Sequence, residues 1–314
     1  MTRAPTLAVT KVPLRNSFAF SVPATSANLG PGFDAVGIAL DLRCRAMVEP
    51  APHFGIAFHG PEQPTHPGFE RMLLDAMHSV SSELPRVRIQ IHNAIPLGKG
   101  LGSSAAARAL GVAIAARAHG IKLDRDALAH RVCDLEGHPD NALPAVYGGI
   151  AIAADAHASI KLPAPSELRA VVVVPDFELA TAQARALLPA HYDRSEVVFN
   201  IQRAALLGAA LASGNWRALR DGMRDRIHQP QRAAVIPGLA AALRVDAPEL
   251  LGIALSGAGP SVLAFVHPGV AWRPIAARIA ACFEAAGIAS RSSRLALSRR
   301  GLVSRKVLTE RKAA

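Results

Sequence analysis

PLGKGLGSSAA, residues 96–106, places Gly98, Gly100 and Gly102 at every second position ahead of Ser103, Ser104 and an alanine-rich segment. Glycine tolerates left-handed backbone and close approach, so such a run can aim successive N–H groups at one point. The helix that follows adds unpaired N–H groups and a positive dipole end, which gives the stretch the form of an anion cradle. It is not a Walker A loop, because Gly98-Lys99 is followed by Gly100 and not by Ser or Thr. Nor is it the dinucleotide fingerprint, since G-x-G-x-G stands where G-x-G-x-x-G is required. The spacing predicts a helix from residue 103 to about 119, capped by Ser103, with the Ser104 hydroxyl facing a phosphate or a metal ion. A second helix is predicted from Asp124, its N-cap, to about residue 136. Glu136 ends that helix just before GHPDN and is a candidate magnesium ligand beside Ser104, magnesium preferring few protein ligands and hard oxygens.

Outward from this stretch, FAFSV (18–22) reads as a strand running into a loop, PATSANLGPGFD (23–34), with AVGIALDL and RCRAMVE as the next two strands. GFERMLLDAMHSVSSEL (68–84) has helical spacing and RVRIQIH (86–92) alternates as a half-buried strand does. Later come the apolar strands YGGIAIA and LRAVVVV, helices starting at Thr181 and Ser195, and a strand-turn-strand in LLGIALSGAGPSVLAFV. AWRPIAARIAACFEAAG is then an amphipathic helix and ASRSSRLAL the last strand. The mixture lacks strict βαβ alternation, so the expected class is α+β, in two units that meet between about 155 and 170.

Composition is that of a folded globular protein, 50% hydrophobic and 19% charged over 314 residues, enough for about two domains. No apolar run reaches a membrane span of about 20 residues and the N-terminal stretch lacks a long apolar core, so no membrane contact and a cytoplasmic location are expected. Cys44, Cys133 and Cys282 are widely spaced and read as buried free thiols. Much of the net charge of +11 sits beyond residue 290, where eight Arg and Lys face Glu310 alone. That segment is expected to be a solvated basic tail or a weak polyanion contact, not a specific nucleic-acid site.

PATSANLGPGFD (23–34), PLGKGLGSSAA (96–106), EGHPDN (136–141) and LSGAGPS (255–261) occur in the order of the motifs of the GHMP small-molecule kinases, which the chain resembles. Within that superfamily the resemblance is to the homoserine kinases, strengthened by TAQAR (181–185) and DRIHQPQR (225–232). It implies a two-domain fold, a ribosomal-protein-like N-terminal domain over residues 1–160 and a ferredoxin-like C-terminal domain with a basic tail over 161–314. It implies ATP and Mg2+, with Pro96, Leu97, Gly98, Lys99, Gly100, Leu101, Gly102, Ser103 and Ser104 around the nucleotide phosphates and Ser104 and Glu136 on the metal. L-homoserine would lie against Asn28, Asp34, Asp140, Asn141, Thr181, Arg185, Arg232 and Gly259. Asp34 suits its ammonium, and Arg185 and Arg232 suit its carboxylate.

The implied reaction is transfer of the ATP γ-phosphoryl to the homoserine side-chain hydroxyl, a step of threonine biosynthesis. Asn141 would contact that hydroxyl, and Asp140 is a substrate ligand and a candidate base. Each residue has a plainer local reading: Asp34 fixing a turn, Asp140 capping a helix, either arginine on the surface, Lys99 in solvent. Another GHMP kinase and a catalytically silent metabolite binder are the alternative functions, and monomer and homodimer both stay open. The chain departs from the family in the short Pro-rich stretch 50–71, in Gln231 and in ALPAVYGG. Removal of residues 299–314 is expected to leave kinase turnover largely intact.

Overall fold

FAFSV does not stop at its proline. In the computed structural model, which describes residues 16–61 and 68–307, β1 (Ser17–Asn28) runs on through PATSAN, turns, and returns as the 19-residue β2 (Gly32–Pro50). Most of the expected loop is thus strand, and the two strands expected after it are one. Pro23 lacks a ladder donor, and the pairing slips there: Pro23 stands opposite Arg43 but Ala24 opposite Leu40. A register shift of this kind is how a sheet accommodates an internal proline.

β3 (Gly55–His59) lies parallel to β4 (Val87–Asn93), which pairs antiparallel to β2. β4 alternates as predicted, burying Val87, Ile89 and Ile91. α1 (Gly68–His78) ends six residues early, where Ser79 Oγ donates to Ala76 O at 2.7 Å and competes with the helix ladder. α2 (Ser103–Ala118) is buried along its length on small residues and packs so closely on α1 that a β-carbon on Gly111 would lie 2.4 Å from Leu73 O. α3 (Arg125–Glu136) starts at Asp124 as expected, Oδ1 accepting from the Ala127 N–H at 2.7 Å. After α4 (Pro139–Tyr147), the hairpin of β5 (Ile150–Ala153) and β6 (Ser159–Leu162) completes this half, β5 pairing with β2.

The second half opens with β7 (Arg169–Pro175), the short α5 (Thr181–Ala186), the long α6 (Arg194–Ser213) and three one-turn helices, α7 (Leu219–Gly222), α8 (Gln229–Ala233) and α9 (Leu239–Ala242). The hairpin β8 (Gly252–Leu255) and β9 (Val262–Val266), α10 (Trp272–Glu284) and β10 (Ser290–Ala296) follow. Their sheet has the order β10-β7-β9-β8, all antiparallel, with helices in the crossovers; this is the ferredoxin-like arrangement. The α+β expectation therefore holds in both halves.

The expected basic tail is corrected by β11 (Val303–Val307): after β10 the chain leaves the second sheet, and β11 pairs antiparallel with β1 at the edge of the first. Arg43 fastens the crossing, donating to Ser21 Oγ at 2.6 Å, Arg300 O at 3.0 Å and Gly301 O at 2.7 Å. Arg311 and Lys312 lie outside the described residues. The three cysteines are free thiols; burial pushes Cys44 and Cys133 up to about 12, while Cys282 is half-buried. Among the described residues no helix is long and apolar enough to cross a membrane.

Candidate active site

A cavity of about 460 Å³ opens where the glycine loop, the β1–β2 turn, the starts of α4 and α5, and α8 converge. Gly98, Gly100 and Gly102 all have left-handed backbone, with φ of 65°, 74° and 68°. A β-carbon on Gly98 would meet nothing within 4 Å, so this glycine borders open space. On Gly100 it would lie 2.1 Å from Ser256 O, and the loop is fastened there by Ser256 Oγ donating to Gly100 O at 2.7 Å. The helix cap is Gly102 and not Ser103, and it supplies no side-chain acceptor. Thr25 Oγ1 lies 1.8 Å from where a Gly102 β-carbon would be, so only glycine fits the cap position. The first-turn N–H groups of α2 therefore have no side-chain cap and suit an anion.

Four residues of the loop do not line the cavity with side chains: Pro96, Leu97, Lys99 and Leu101. Leu101 is buried in the core. Lys99 turns away from the expected phosphates, donating to Phe177 O at 2.9 Å and pairing with Asp176 at 3.5 Å. Its role is to pin the loop to the end of β7.

Ser104 and Glu136 meet, Ser104 Oγ donating to Glu136 Oε2 at 3.1 Å. The Glu136 side chain is only 2% exposed, and Arg108, one helical turn beyond Ser104, pairs with its other oxygen. One hydroxyl and one carboxylate side by side at the glycine loop are hard oxygen donors of the kind that would fit magnesium. His138 Nδ1 is 2.5 Å from Asp140 Oδ1 and its Nε2 is 3.9 Å from Glu136 Oε2, so the imidazole bridges the two carboxylates. Burial lowers its pKa, but the Asp140 hydrogen bond and both negative charges outweigh burial and hold it above the ordinary imidazole value. Asp140 is buried on the first turn of α4 but does not cap it. Asn141 accepts at Oδ1 from Thr25 Oγ1 at 2.6 Å.

At the other end, Asn28 and Asp34 have left-handed backbone, φ 71° and 57°, uncommon for residues with a β-carbon. The strain is held by Asn28, which accepts from the Asp34 N–H at 3.0 Å and donates to Gly257 O at 2.8 Å. Asp34 and Arg185, expected to hold opposite ends of one substrate, instead hold each other in a bidentate pair of 2.9 and 2.6 Å. This pairing keeps the Arg185 pKa above its ordinary value. The paired charges thus neutralise one another within the cavity lining.

Arg232 is 1% exposed, so it is no surface residue. It donates to Gly257 O at 3.0 Å and to His228 Nδ1 at 2.9 Å, and its buried Nε meets no hydrogen-bond partner among the described residues. Burial, reinforced by Arg185, pushes its pKa down to about 10. His228 fits this role as a neutral ring, Nε2–H donating to Gly30 O at 2.8 Å while Nδ1 accepts, and burial lowers its pKa. Both guanidinium groups face the Phe33 ring, 5.5 and 5.4 Å from its centroid. Thr181, first in α5, and Gly259 complete the lining.

The family models for the GHMP kinases N terminal domain and the GHMP kinases C terminal match residues 70–149 and 207–289. A homoserine kinase of Solibacter usitatus is 41% identical over 294 residues, 90% of this chain and 96% of its own. The chain belongs to the GHMP kinase family, among its homoserine kinases. A homoserine kinase of Thermus thermophilus is 40% identical over 79% of this chain and 86% of its own. The crystal structure of homoserine kinase from Cytophaga hutchinsonii matches with a TM-score of 0.78 at 26% identity, covering 95% of this chain and all of that one.

In this GHMP kinase the cavity also engages residues that sequence reasoning did not single out: Arg108, His138, His228 and Thr25. His138 and His228 stand inside EGHPDN and DRIHQPQR, and Arg108 is four residues after Ser104, hence on the same helix face. Thr25 carried no signal, since a lone threonine in an expected loop suggests nothing.

Proposed function

We propose that the chain transfers the γ-phosphoryl of ATP to the side-chain hydroxyl of L-homoserine, giving O-phospho-L-homoserine and ADP. The observation that carries this is the arrangement of one cavity: a glycine loop with Ser104 and Glu136 at one end, and Asp34, Arg185 and Arg232 around Phe33 at the other. A sugar or a simple alcohol has no use for two guanidinium groups facing a carboxylate; an amino acid engages all three.

The N–H groups of the glycine loop and of the first turn of α2 hold the phosphates. Ser104 and Glu136 hold Mg2+, which when bound neutralises phosphate charge and supplies electrostatic stabilisation. Homoserine enters between Asp34 and Arg185, its ammonium taken by Asp34 and its carboxylate by Arg185 and Arg232. Its hydroxyl oxygen then bonds to the γ-phosphorus while the bond from that phosphorus to the bridging oxygen breaks, and ADP leaves with the electron pair. The hydroxyl proton passes to the carboxylate of Asp140, held in place by His138. Positioning and charge neutralisation contribute most of the rate, as in phosphoryl transfer generally.

The test is ADP release from purified protein with L-homoserine, a hexose and mevalonate as acceptors, repeated with Glu136→Ala. Homoserine-dependent release that falls by more than about 100-fold in the variant supports the reading. Release with another acceptor, or an unimpaired Glu136→Ala enzyme, refutes it.

A further inference from the structure

Thr25 lies in β1, fully buried behind the cavity wall. Three of its contacts converge on the machinery. Its Oγ1 donates to Asn141 Oδ1 at 2.6 Å, and its backbone N–H donates to Leu101 O at 3.1 Å. Its hydroxyl also sits directly under Gly102, where a β-carbon would come within 1.8 Å. The phosphate loop thus leaves its last turn on the same side chain that grips Asn141.

That grip and the carboxylate of Asp140 together decide which end of the amide faces the cavity. Asn141 Nδ2 lies 3.5 Å from Asp140 Oδ1, a neighbour that attracts an N–H and repels a carbonyl oxygen. With Oδ1 turned to Thr25, Asn141 offers the cavity donors and no acceptor. It can hold a lone pair of an attacking hydroxyl or an oxygen of the transferring phosphoryl, and it cannot receive a proton.

We infer that Thr25 is a positioning residue for the phosphoryl transfer, its hydroxyl locking Asn141 with the amide N–H toward the acceptor oxygen and tying that orientation to the phosphate loop. This rests on the proposed place of Asn141 at the acceptor hydroxyl. A side chain that acts by orientation affects the chemical step more than ground-state binding, which separates it from one that only fills space.

The experiment compares kcat and KM for Thr25→Val, which keeps the branched shape without the O–H, and Thr25→Ser, which keeps the O–H, with Asn141→Ala and the Thr25→Val/Asn141→Ala double variant. Thr25→Val is expected to lower kcat on the order of tenfold to 100-fold, with both KM values changed by less than about threefold. Thr25→Ser recovers most of the loss, and Thr25→Val has no further effect once Asn141 is alanine. If the valine variant does not fold, Thr25→Ala against Thr25→Ser repeats the comparison at smaller volume. An impaired Asn141→Ala beside an unimpaired Thr25→Val overturns this inference alone. An unimpaired Asn141→Ala overturns the acceptor-site reading and the inference with it. Equal losses in the serine and valine variants, following their melting temperatures, assign Thr25 to packing and overturn it too.

Discussion

Arg232→Met should give a protein that is more stable without substrate and much weaker at holding it. Methionine keeps the aliphatic stem and removes the charge. In the folded protein the guanidinium pKa falls from 12.5 to about 10, so keeping it charged in a site 1% exposed costs about 3 kcal/mol. The sign follows from linkage: a base with a depressed folded pKa destabilises wherever it stays protonated, so the cost is constant from about pH 6 to about pH 9 and is relieved only as pH rises through the folded value. Against this gain, Gly257 O keeps a donor in Asn28 Nδ2, whereas His228 Nδ1 loses Arg232 at about 1 to 2 kcal/mol. The balance is about 1 to 2 kcal/mol of added stability, a rise in Tm of roughly 2–4 °C. Removing a buried carboxylate ligand costs about 3 kcal/mol of homoserine binding, on the order of 100-fold in Kd. Thermal melts with and without homoserine, together with calorimetric titration, measure both quantities. A variant that melts below the parent and binds homoserine within about threefold of it would refute the assignment of Arg232 as a buried charge held ready for the substrate.

Two further outcomes follow from the same structure. His138 binds its proton more tightly folded than unfolded, so its contribution is complete below the ordinary imidazole pKa of about 6.5 and is lost as pH rises through the higher folded value; urea midpoints should fall across this window in the parent, and the His138→Gln protein should show a flatter profile. Deleting residues 299–314 removes the outer partner of β1 and two carbonyl acceptors of Arg43, so Tm should drop by at least about 5 °C and turnover with it, contrary to the expectation from sequence; a truncated enzyme with parental Tm and kcat would show that β11 is dispensable.

The meeting of Ser104 and Glu136 beside the glycine loop was legible because both stand in contiguous motifs at the ends of predicted helices, and they do come together. The apolar alternation of Val87, Ile89 and Ile91 likewise gave its strand directly. What escaped depends on partners far away in sequence. Lys99 reads as a phosphate cation until Phe177 O and Asp176 are found beside it. Asp34 and Arg185 each suit one end of a zwitterion, and the sequence holds no sign that they pair directly with one another. PATSAN reads as loop because proline and small polar residues dominate it, whereas burial between β2 and the motif LSGAGPS makes it strand. Ser103 looks like a cap only while Thr25, which occupies the space beneath Gly102, is out of view.

The return of β11 to β1 also orders events during synthesis. Ser17 pairs with Val307, so the strand that carries Thr25 and Asn28 emerges from the ribosome long before its outer neighbour exists. Until residues near 300 have been made, one edge of the first sheet is open, with unpaired backbone groups that invite pairing with other chains. The ferredoxin-like half is translated inside that interval and can close on itself first, so the half that comes first in the sequence is the last to be completed.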